Sequence, residues 1–299
     1  MKQNIMYFFT RTPLHIGAGS SVGSIDMPVI RERHTRFPVI PATSIKGVLS
    51  DFFIEQIKSS DDKQNFKRTV LGNWLFGNED AKDSNAGALL FGEGKILLFP
   101  VRSGRNSFAF VTSPLVLKRF WRDTEISPVQ FKEPNTDECL TPEEMTLDGK
   151  VILEEYCLNN INNNSDLENL INSLEGKIQN IDELLKNIKN RIVIVSDEMM
   201  SYFAEHACEV VTRIKIDDFT GTAEGQGLFN QENVPSESLF YSVVHSRNGL
   251  GQNNIGQTEE KASGELKKLI NENKMIQIGG DASTGHGWCS ISLSESEAK

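Results

Sequence analysis

The chain has no Cys-x-x-Cys pair and no Cys/His cluster; its four cysteines, Cys139, Cys157, Cys208 and Cys289, are scattered over 299 residues. That spacing argues against both a structural zinc site and a disulfide framework, and each cysteine is expected as a small buried apolar side chain. No apolar run approaches bilayer-spanning length. The N-terminal Met1-Lys2-Gln3-Asn4 leads into an apolar segment without a signal-peptide pattern, so no membrane partner and a cytoplasmic location are the default expectations. A His-Glu-x-x-His metalloprotease element is missing as well.

Acid is also missing from one long stretch. Residues 95 to 122 carry Lys95, Arg102, Arg105, Lys118, Arg119 and Arg122 and no Asp or Glu. Residues 1 to 50 carry six Lys or Arg against only Asp26 and Glu32. The overall net charge of −10 comes from elsewhere, notably residues 123 to 160, where ten acids face Lys132 and Lys150. A chain with basic strips on an acidic background can meet a polyanion locally, although such strips also occur as ordinary solvated faces.

Hydrophobic periodicity outlines the elements. Asn4 to Thr10 reads as a buried strand, and Ser44 to Lys58 as an amphipathic helix capped by Thr43 or Ser44. Phe66 to Phe76 reads as a helix, Ala88 to Val101 as strands broken at Gly92 and Gly94, and Pro114 to Arg122 as a helix. Gly149 to Tyr156 is strand-like, Asn159 to Ser165 is a polar linker, and Asp166 to about Lys189 has helical leucine and isoleucine spacing. Arg191 to Val195 is a strand and Ser196 caps a helix to about His206; strands at Val210 to Ile216 and Leu239 to His245 flank a protruding hairpin at Asp218 to Pro235. A helix over Ser263 to Asn273 and a strand over Met275 to Gly279 lead into a glycine loop, Gly280 to His286. Irregular mixing of short strands with single helices favours α+β over a doubly wound sheet.

Two glycine-rich segments are candidates for phosphate contact. Gly17, Gly19 and Gly23 are not a dinucleotide fingerprint, because Pro28 and the extended residues after it deny the required helix. Gly280 to His286 has Walker spacing, but His286 stands where the lysine belongs and no helix follows. Both could still present backbone N–H groups to an anion, or could be tight turns. Asp26 is a lone loop carboxylate with Arg31, Arg33, His34, Arg36 and Lys46 nearby in sequence; His15 could act as acid or base or simply be packed, and Glu32 beside arginines reads as an ion-pair partner.

Several segments occur in one order: Gly17-Ala18-Gly19; Ile25-Asp26-Met27-Pro28; Pro41-Ala42-Thr43-Ser44-Ile45-Lys46-Gly47; Ser113-Pro114-Leu115; Glu232-Asn233-Val234-Pro235; and Gly279-Gly280 to Gly287-Trp288. In this the chain resembles the RAMP superfamily of CRISPR proteins, and within it the repeated backbone subunits of type III-B (Cmr) effector complexes. The resemblance runs from about residue 14 to 288, and residues 156 to 190 contribute nothing specific to it. It implies a single RAMP domain over residues 1–299. The fold implied is a modified RRM-like, ferredoxin-like palm with helical fingers at about 44–90, an acidic and helical insertion at about 123–190 and a thumb β-hairpin at about 218–236.

The resemblance also implies an activity: an endoribonuclease that, inside an assembled ribonucleoprotein, cuts target RNA at regular intervals in antiviral defence. The implied partners are CRISPR guide RNA, target RNA, copies of the chain in a helical stack and other Cmr-complex subunits. Asp26 is the implied catalytic residue, as proton acceptor or as ligand to a divalent metal, Mg²⁺ or Mn²⁺, with His15 and Glu232 as secondary candidates. RNA contact falls to Gly17, Gly19, Arg31, Arg36, Ser44, Lys46, Gly47, Gly280, Thr284, Gly285 and His286, and Leu228 and Phe229 are the thumb wedge. A non-catalytic RAMP scaffold of a related complex would keep the fold without needing Asp26. A small-molecule α+β enzyme would instead need a closed apolar pocket and would purify free of RNA.

Overall fold

The computed structural model describes residues 1–19, 25–58, 64–78, 85–161, 164–178, 181–216, 219–250 and 256–295. Its centre is the strand Lys2–Thr10, in which Ile5, Met6, Tyr7, Phe8 and Phe9 are each no more than 1% exposed. An uninterrupted apolar run of this kind suits a strand covered on both faces. Leu239–Ser246 and Trp288–Glu295 pair antiparallel on its two sides, with Tyr7 opposite Tyr241 and Phe8 opposite Ile291. Gly94–Arg102 then pairs antiparallel with Leu239–Ser246.

These four strands lie in the spatial order 94–102, 239–246, 2–10, 288–295. Helix α1 (Ala42–Asp51) lies in the connection between the first two strands in sequence, and a later helix, Glu259–Glu272, in that between the last two. This is the βαββαβ order of a ferredoxin-like palm. The sheet extends past Gly94–Arg102 through Phe108–Thr112, Ile192–Val195, Glu138–Leu140, Tyr156–Asn160 and Lys150–Leu153, and past Trp288–Glu295 to Met275–Gln277. With short pairings by Val39–Ile40 and Leu89–Phe91 it reaches 12 strands. The chain is thus α+β, with a fingers region formed by α1, α2 (Val70–Phe76) and small hairpins beside them.

Local chemistry sets most helix starts. Ser113 Oγ accepts from Val116 N and Pro114 occupies the first turn of α3 (Pro114–Thr124). Ser196 Oγ accepts from Met199 N at α5 (Asp197–His206), which follows α4 (Asn164–Ile178), and Thr258 Oγ1 from Lys261 N at α6 (Glu259–Glu272). Such caps satisfy amides that the helix itself cannot.

Several expectations shift. The helix expected over 44–58 is α1, which starts after Pro41 with no side-chain cap, and its first turn closes on the Pro41 carbonyl, which takes Ser44 N at 2.9 Å. Neither Thr43 nor Ser44 caps it. The chain turns at Phe52–Phe53, and Ile54–Lys58 becomes a strand paired with Gln64–Arg68, because its β-branched residues find a ladder partner there. The first three residues of the helix expected over 66–76 are lost to that partner, and α2 starts only after Thr69, whose Oγ1 accepts from Gly72 N. Asn159 and Asn160, expected in a linker, lie in a strand: the Asn160 amide accepts from Thr141 N at 3.2 Å and donates to Thr141 O at 3.1 Å, as a backbone pair would. Cys157 is exposed rather than buried, whereas burial pushes the thiols of Cys139 and Cys289 up to about 12.

Helix α3 is tied to the sheet by one carboxylate. Asp123 Oδ2 accepts from Lys95 Nζ at 2.7 Å and from the Tyr241 hydroxyl at 3.0 Å, while Oδ1 accepts from Arg122 Nε at 2.9 Å. Burial alone would raise its pKa, but these donors outweigh it and hold the carboxyl below its ordinary range. A depressed folded pKa gives stability that is present above the unfolded value of about 4 and is lost as pH falls through the folded one. Urea unfolding of wild type and Asp123→Asn should therefore differ at neutral pH and converge in acid; an equal difference at both pH values would remove this carboxylate from the acid response.

Candidate active site at the hairpin base

Residues Glu209–Ile216 pair antiparallel with Ala223–Asn233, from Glu209 opposite Asn233 to Ile216 opposite Ala223. The hairpin expected from 218 therefore includes the whole preceding strand and starts nine residues earlier; residues 217 and 218 lie outside the described residues. Leu228 is 67% exposed opposite Ile214, also exposed, whereas Phe229 is half-buried opposite Arg213.

The Asp26 loop lies along the base of this hairpin. Met27 N donates to Asn230 O at 3.0 Å, and Glu232 N donates to Met27 O at 2.9 Å, so the loop runs as a short parallel bridge beside Gln231. Its other side is sewn to residues 16–18: Ala18 N donates to Pro28 O, and Ile30 N to Ile16 O. Asp26 is exposed, and its Oδ2 accepts from Asn230 N at 2.8 Å. Its Oδ1 meets no donor among the described residues.

What fixes the loop is a buried ion pair. Arg31 Nη2 meets Glu232 Oε1 at 2.6 Å with both side chains 4% exposed, and Glu232 Oε2 accepts from Val29 N at 2.9 Å. Arg31 also donates to the carbonyls of Arg36 and Ala204 and, at 3.2 Å, to Cys208 Sγ. Burial works against the Arg31 charge, but Cys208 and Glu232 prevail and its pKa is raised. Burial pushes the Cys208 thiol up to about 12. The sequence suggested Arg31 for phosphate contact and Glu232 for chemistry; here Arg31 faces inward and both Glu232 oxygens are engaged, so the two act as the clamp of the Asp26 loop.

His15 is buried at 4% exposure, and its Nδ1 lies 2.7 Å from the Glu232 carbonyl. A carbonyl only accepts, so Nδ1 carries the proton and, in the neutral ring, Nε2 is left as an acceptor. That nitrogen lies beneath Gly17, where an added Cβ would stand 3.1 Å from it. The terminal glycine loop closes the other side: Gly280 N donates to His15 O at 2.9 Å, and at Gly279, with φ +85, a Cβ would collide with that same carbonyl oxygen. Only glycine fits so close an approach.

The loop is also bound to the hairpin. Gln231 Nε2 donates to Asp281 Oδ2 at 2.6 Å, and Arg213 Nη2 lies 3.0 Å from His286 Nε2. Because a guanidinium only donates, His286 accepts there and its Nδ1–H faces Thr284 Oγ1 at 3.2 Å. Sequence reading gave no role to Arg213, Asp281 or Gln231, although Gln231 directly precedes the Glu232-Asn233-Val234-Pro235 segment, because their convergence depends on hairpin register. Gly19, Thr284 and Gly285 are exposed on these loops, and Arg36, also exposed, pairs with Glu205 at 3.0 Å. Ser44, Lys46 and Gly47 belong to α1, where Lys46 and Gly47 are exposed and line a different cavity.

Among the described residues no group of three or more His, Cys, Asp or Glu side chains could hold a metal ion by itself, and no helix is long and apolar enough to cross a membrane. On the Asp26 loop the open carboxylate oxygen is Asp26 Oδ1.

The RAMP superfamily profile matches residues 8–290. The chain is 38% identical over 301 residues to the CRISPR system Cmr endoribonuclease Cmr4 of Pyrococcus furiosus, covering 99% of this chain and 97% of that protein. It is 22% identical over 264 residues to the CRISPR system CMR subunit Cmr4 of Saccharolobus solfataricus, covering 79% of this chain and 82% of that protein. Its structure superposes on that of oligomeric Cmr4 from Pyrococcus furiosus with a TM-score of 0.71 at 31% identity, over 99% of this chain and 98% of that chain. A chain of a type III-B Cmr-beta complex bound to cognate target RNA has the same fold, with a TM-score of 0.70 at 20% identity over 98% and 97% of the two chains.

Removing Arg31 would leave Glu232 buried without its partner, which typically costs about 3–5 kcal/mol. Chemical unfolding of Arg31→Met should show a loss of that order, and adding Glu232→Gln, which removes the orphaned charge and keeps an acceptor for Val29 N, should recover part of it. No recovery in the double variant would mean that the pair does not act as a unit.

Proposed function

This chain belongs to the RAMP superfamily, and from that premise we propose that it is a backbone subunit of a type III-B CRISPR effector complex that holds guide RNA and cuts the paired target RNA at regular intervals. The observation that carries the reading is the state of Asp26: an exposed carboxylate with one oxygen fixed by Asn230 N and the other open, at the foot of a protruding hairpin. In this reading the partners are guide RNA, target RNA, further copies of the chain in a helical stack and the other subunits of the complex.

RNA scission by internal attack needs in-line geometry, a proton acceptor and stabilisation of charge on the phosphorane. The 2′-oxygen attacks the adjacent phosphorus, the bond to the 5′-oxygen breaks, and a 2′,3′-cyclic phosphate and a 5′-hydroxyl result. Asp26 Oδ1 is the acceptor for the 2′-hydroxyl proton, and water returns a proton to the departing 5′-oxygen. In the alternative role Asp26 would hold a divalent ion such as Mg²⁺ or Mn²⁺ in place of the proton; the ion would supply charge neutralisation at the phosphate, and one carboxylate is a sparse set that suits a metal relying on substrate phosphates and water.

The remaining residues hold this arrangement. Arg31 and Glu232 keep the Asp26 loop against the hairpin, and His15 ties the Glu232 carbonyl to the glycine loop. Exposed Gly17 and Gly19, the exposed turn at Thr284 and Gly285, and Lys46 on α1 are the proposed contacts to guide phosphates. Leu228, exposed on the hairpin, is the proposed wedge that opens the duplex beside the cut.

The test is target-RNA cleavage by the assembled complex carrying wild type or Asp26→Ala, with metal supplied. Cutting should fall by at least about a hundredfold, as for loss of a general base, while guide content and assembly stay unchanged. Cleavage at the wild-type rate by the variant would overturn the assignment and favour a scaffold role.

A further inference from the structure

The contact between Arg213 and His286 exists for one protonation state of the histidine. A guanidinium has no acceptor to offer, so the 3.0 Å approach of Arg213 Nη2 to His286 Nε2 is a hydrogen bond only while the imidazole is neutral. Protonation puts an N–H on Nε2 and leaves two donors and two positive charges facing each other at that distance. Imidazole is the side chain whose charge ordinarily changes between pH 5 and 8.

Both sides of the contact are held in place. On the loop side Thr284 N and His286 N donate to Asp281 O at 3.0 and 3.2 Å, and Gln277 Nε2 donates to the carbonyls of Gly279 and His286 at 3.1 and 3.2 Å. Asp281 is left-handed, with φ +61, and at Gly287 an added Cβ would collide with Ile278 O. This bonded turn presents the imidazole, and Thr284 Oγ1 orients the ring through Nδ1–H. On the hairpin side, strand alternation places Glu209, Val211 and Arg213 on one face with Phe229, Gln231 and Asn233, and that face meets the glycine loop.

Hairpin register carries the contact to Asp26. Arg213 stands opposite Phe229, and the next pair toward the base is Thr212 with Asn230, joined between Thr212 Oγ1 and Asn230 Oδ1 at 2.9 Å. Asn230 N is the donor that holds Asp26 Oδ2. One pair lower, Gln231 Nε2 bonds Asp281 Oδ2. The two ties to the glycine loop, from Arg213 and from Gln231, therefore brace Asn230 from the tip side and the base side.

The charged groups that face the imidazole among the described residues are three. Arg213 comes from the hairpin, and Asp281 from the loop itself, with its Oδ2 3.7 Å from Arg213 Nη2. Glu209 comes from the hairpin base; partial burial raises its carboxyl above the ordinary range, against the pull of His286. An imidazolium would compete with Arg213 for these two carboxylates, of which Asp281 already takes Gln231.

We propose that Arg213 and His286 are positioning residues for the Asp26 chemistry, forming a latch that closes on neutral His286 and frees the hairpin beside Asn230 in acid. The positioning role rests on the reading of the chain as a target-RNA nuclease; the latch rests on the geometry of the chain alone.

Amide hydrogen exchange of the full chain, corrected for the intrinsic pH dependence of exchange, is followed over residues 210–216 and 227–231 at pH 7.5 and 5.5. It compares wild type with His286→Gln, whose Oε1 accepts from Arg213 at either pH. Wild-type protection should fall in acid by roughly fivefold or more, and that of His286→Gln should stay level. No fall in wild type overturns the latch, and so does an equal fall in His286→Gln, which would assign the effect to another group such as His15. Single-turnover cleavage of target RNA by the assembled complex is then read as the ratio of rates at the two pH values within each variant. The loss of rate in acid should be roughly fivefold smaller for His286→Gln than for wild type. Arg213→Met should cut more slowly at pH 7.5, with a ratio that adding His286→Gln does not change. Equal ratios in wild type and His286→Gln would overturn the positioning role and leave the Asp26 reading in place. A wild-type complex that cuts at neither pH overturns that reading and the positioning role with it.

Discussion

The buried pair between Arg31 and Glu232 is the constraint on which the candidate active site depends. It joins three parts of the chain that are far apart in sequence: the loop after Asp26, the C-terminal turn of α5 through the Ala204 carbonyl, and the returning strand of the hairpin. A buried ion pair is weak evidence for stability, because desolvation offsets much of its attraction, but its geometry is demanding. Here that demand is useful. One Glu232 oxygen takes the Arg31 guanidinium and the other takes Val29 N, which leaves the loop little choice of path and sets Asp26 against Asn230.

A similar economy marks the terminal glycine loop. It carries no lysine or arginine of its own, yet it is bound to His15 through backbone and to the hairpin through Gln231 and Arg213. The hairpin, the Asp26 loop and the glycine loop are therefore bonded to one another on every side. Exposed apolar residues such as Ile214 and Leu228 are left on the outer part of the hairpin, where the palm does not cover them. The basic character of the surface is likewise local: Glu32 takes Arg119, Asp123 takes Lys95 and Arg122, and Glu205 takes Arg36, so many cations of the basic strips are already neutralised. Lys46, Arg68 and Arg247 are among the cations that no described carboxylate neutralises.

Much of the fold could be read from the sequence because burial on both faces leaves a strong signature. The run from Ile5 to Phe9 is of this kind, and the helix starts at Pro114 and Ser196 were legible from the proline and the serine cap. The expectation failed where local propensity was ambiguous. Ile54 and Ile57 fit a helical period as well as a strand, and the pairing with Gln64–Arg68 decided between them. Asn159 and Asn160 looked like linker, but the Asn160 amide found Thr141.

The sequence by itself determined which residues could carry chemistry: a lone carboxylate at Asp26, glycines at 279 and 280 that allow close backbone approach, and the order of segments that marks the superfamily. Residue type and spacing are local properties, and they survive without a fold. Only the tertiary structure decided what each group does. It turned Arg31 inward to Glu232, locked His15 under the glycine loop, left one oxygen of Asp26 open and gathered Arg68 and Arg247 beside Lys46. The physical reason is that a charged side chain acquires its role from its partners and its burial, and those are set by contacts between segments far apart in sequence, such as Arg31 with Glu232.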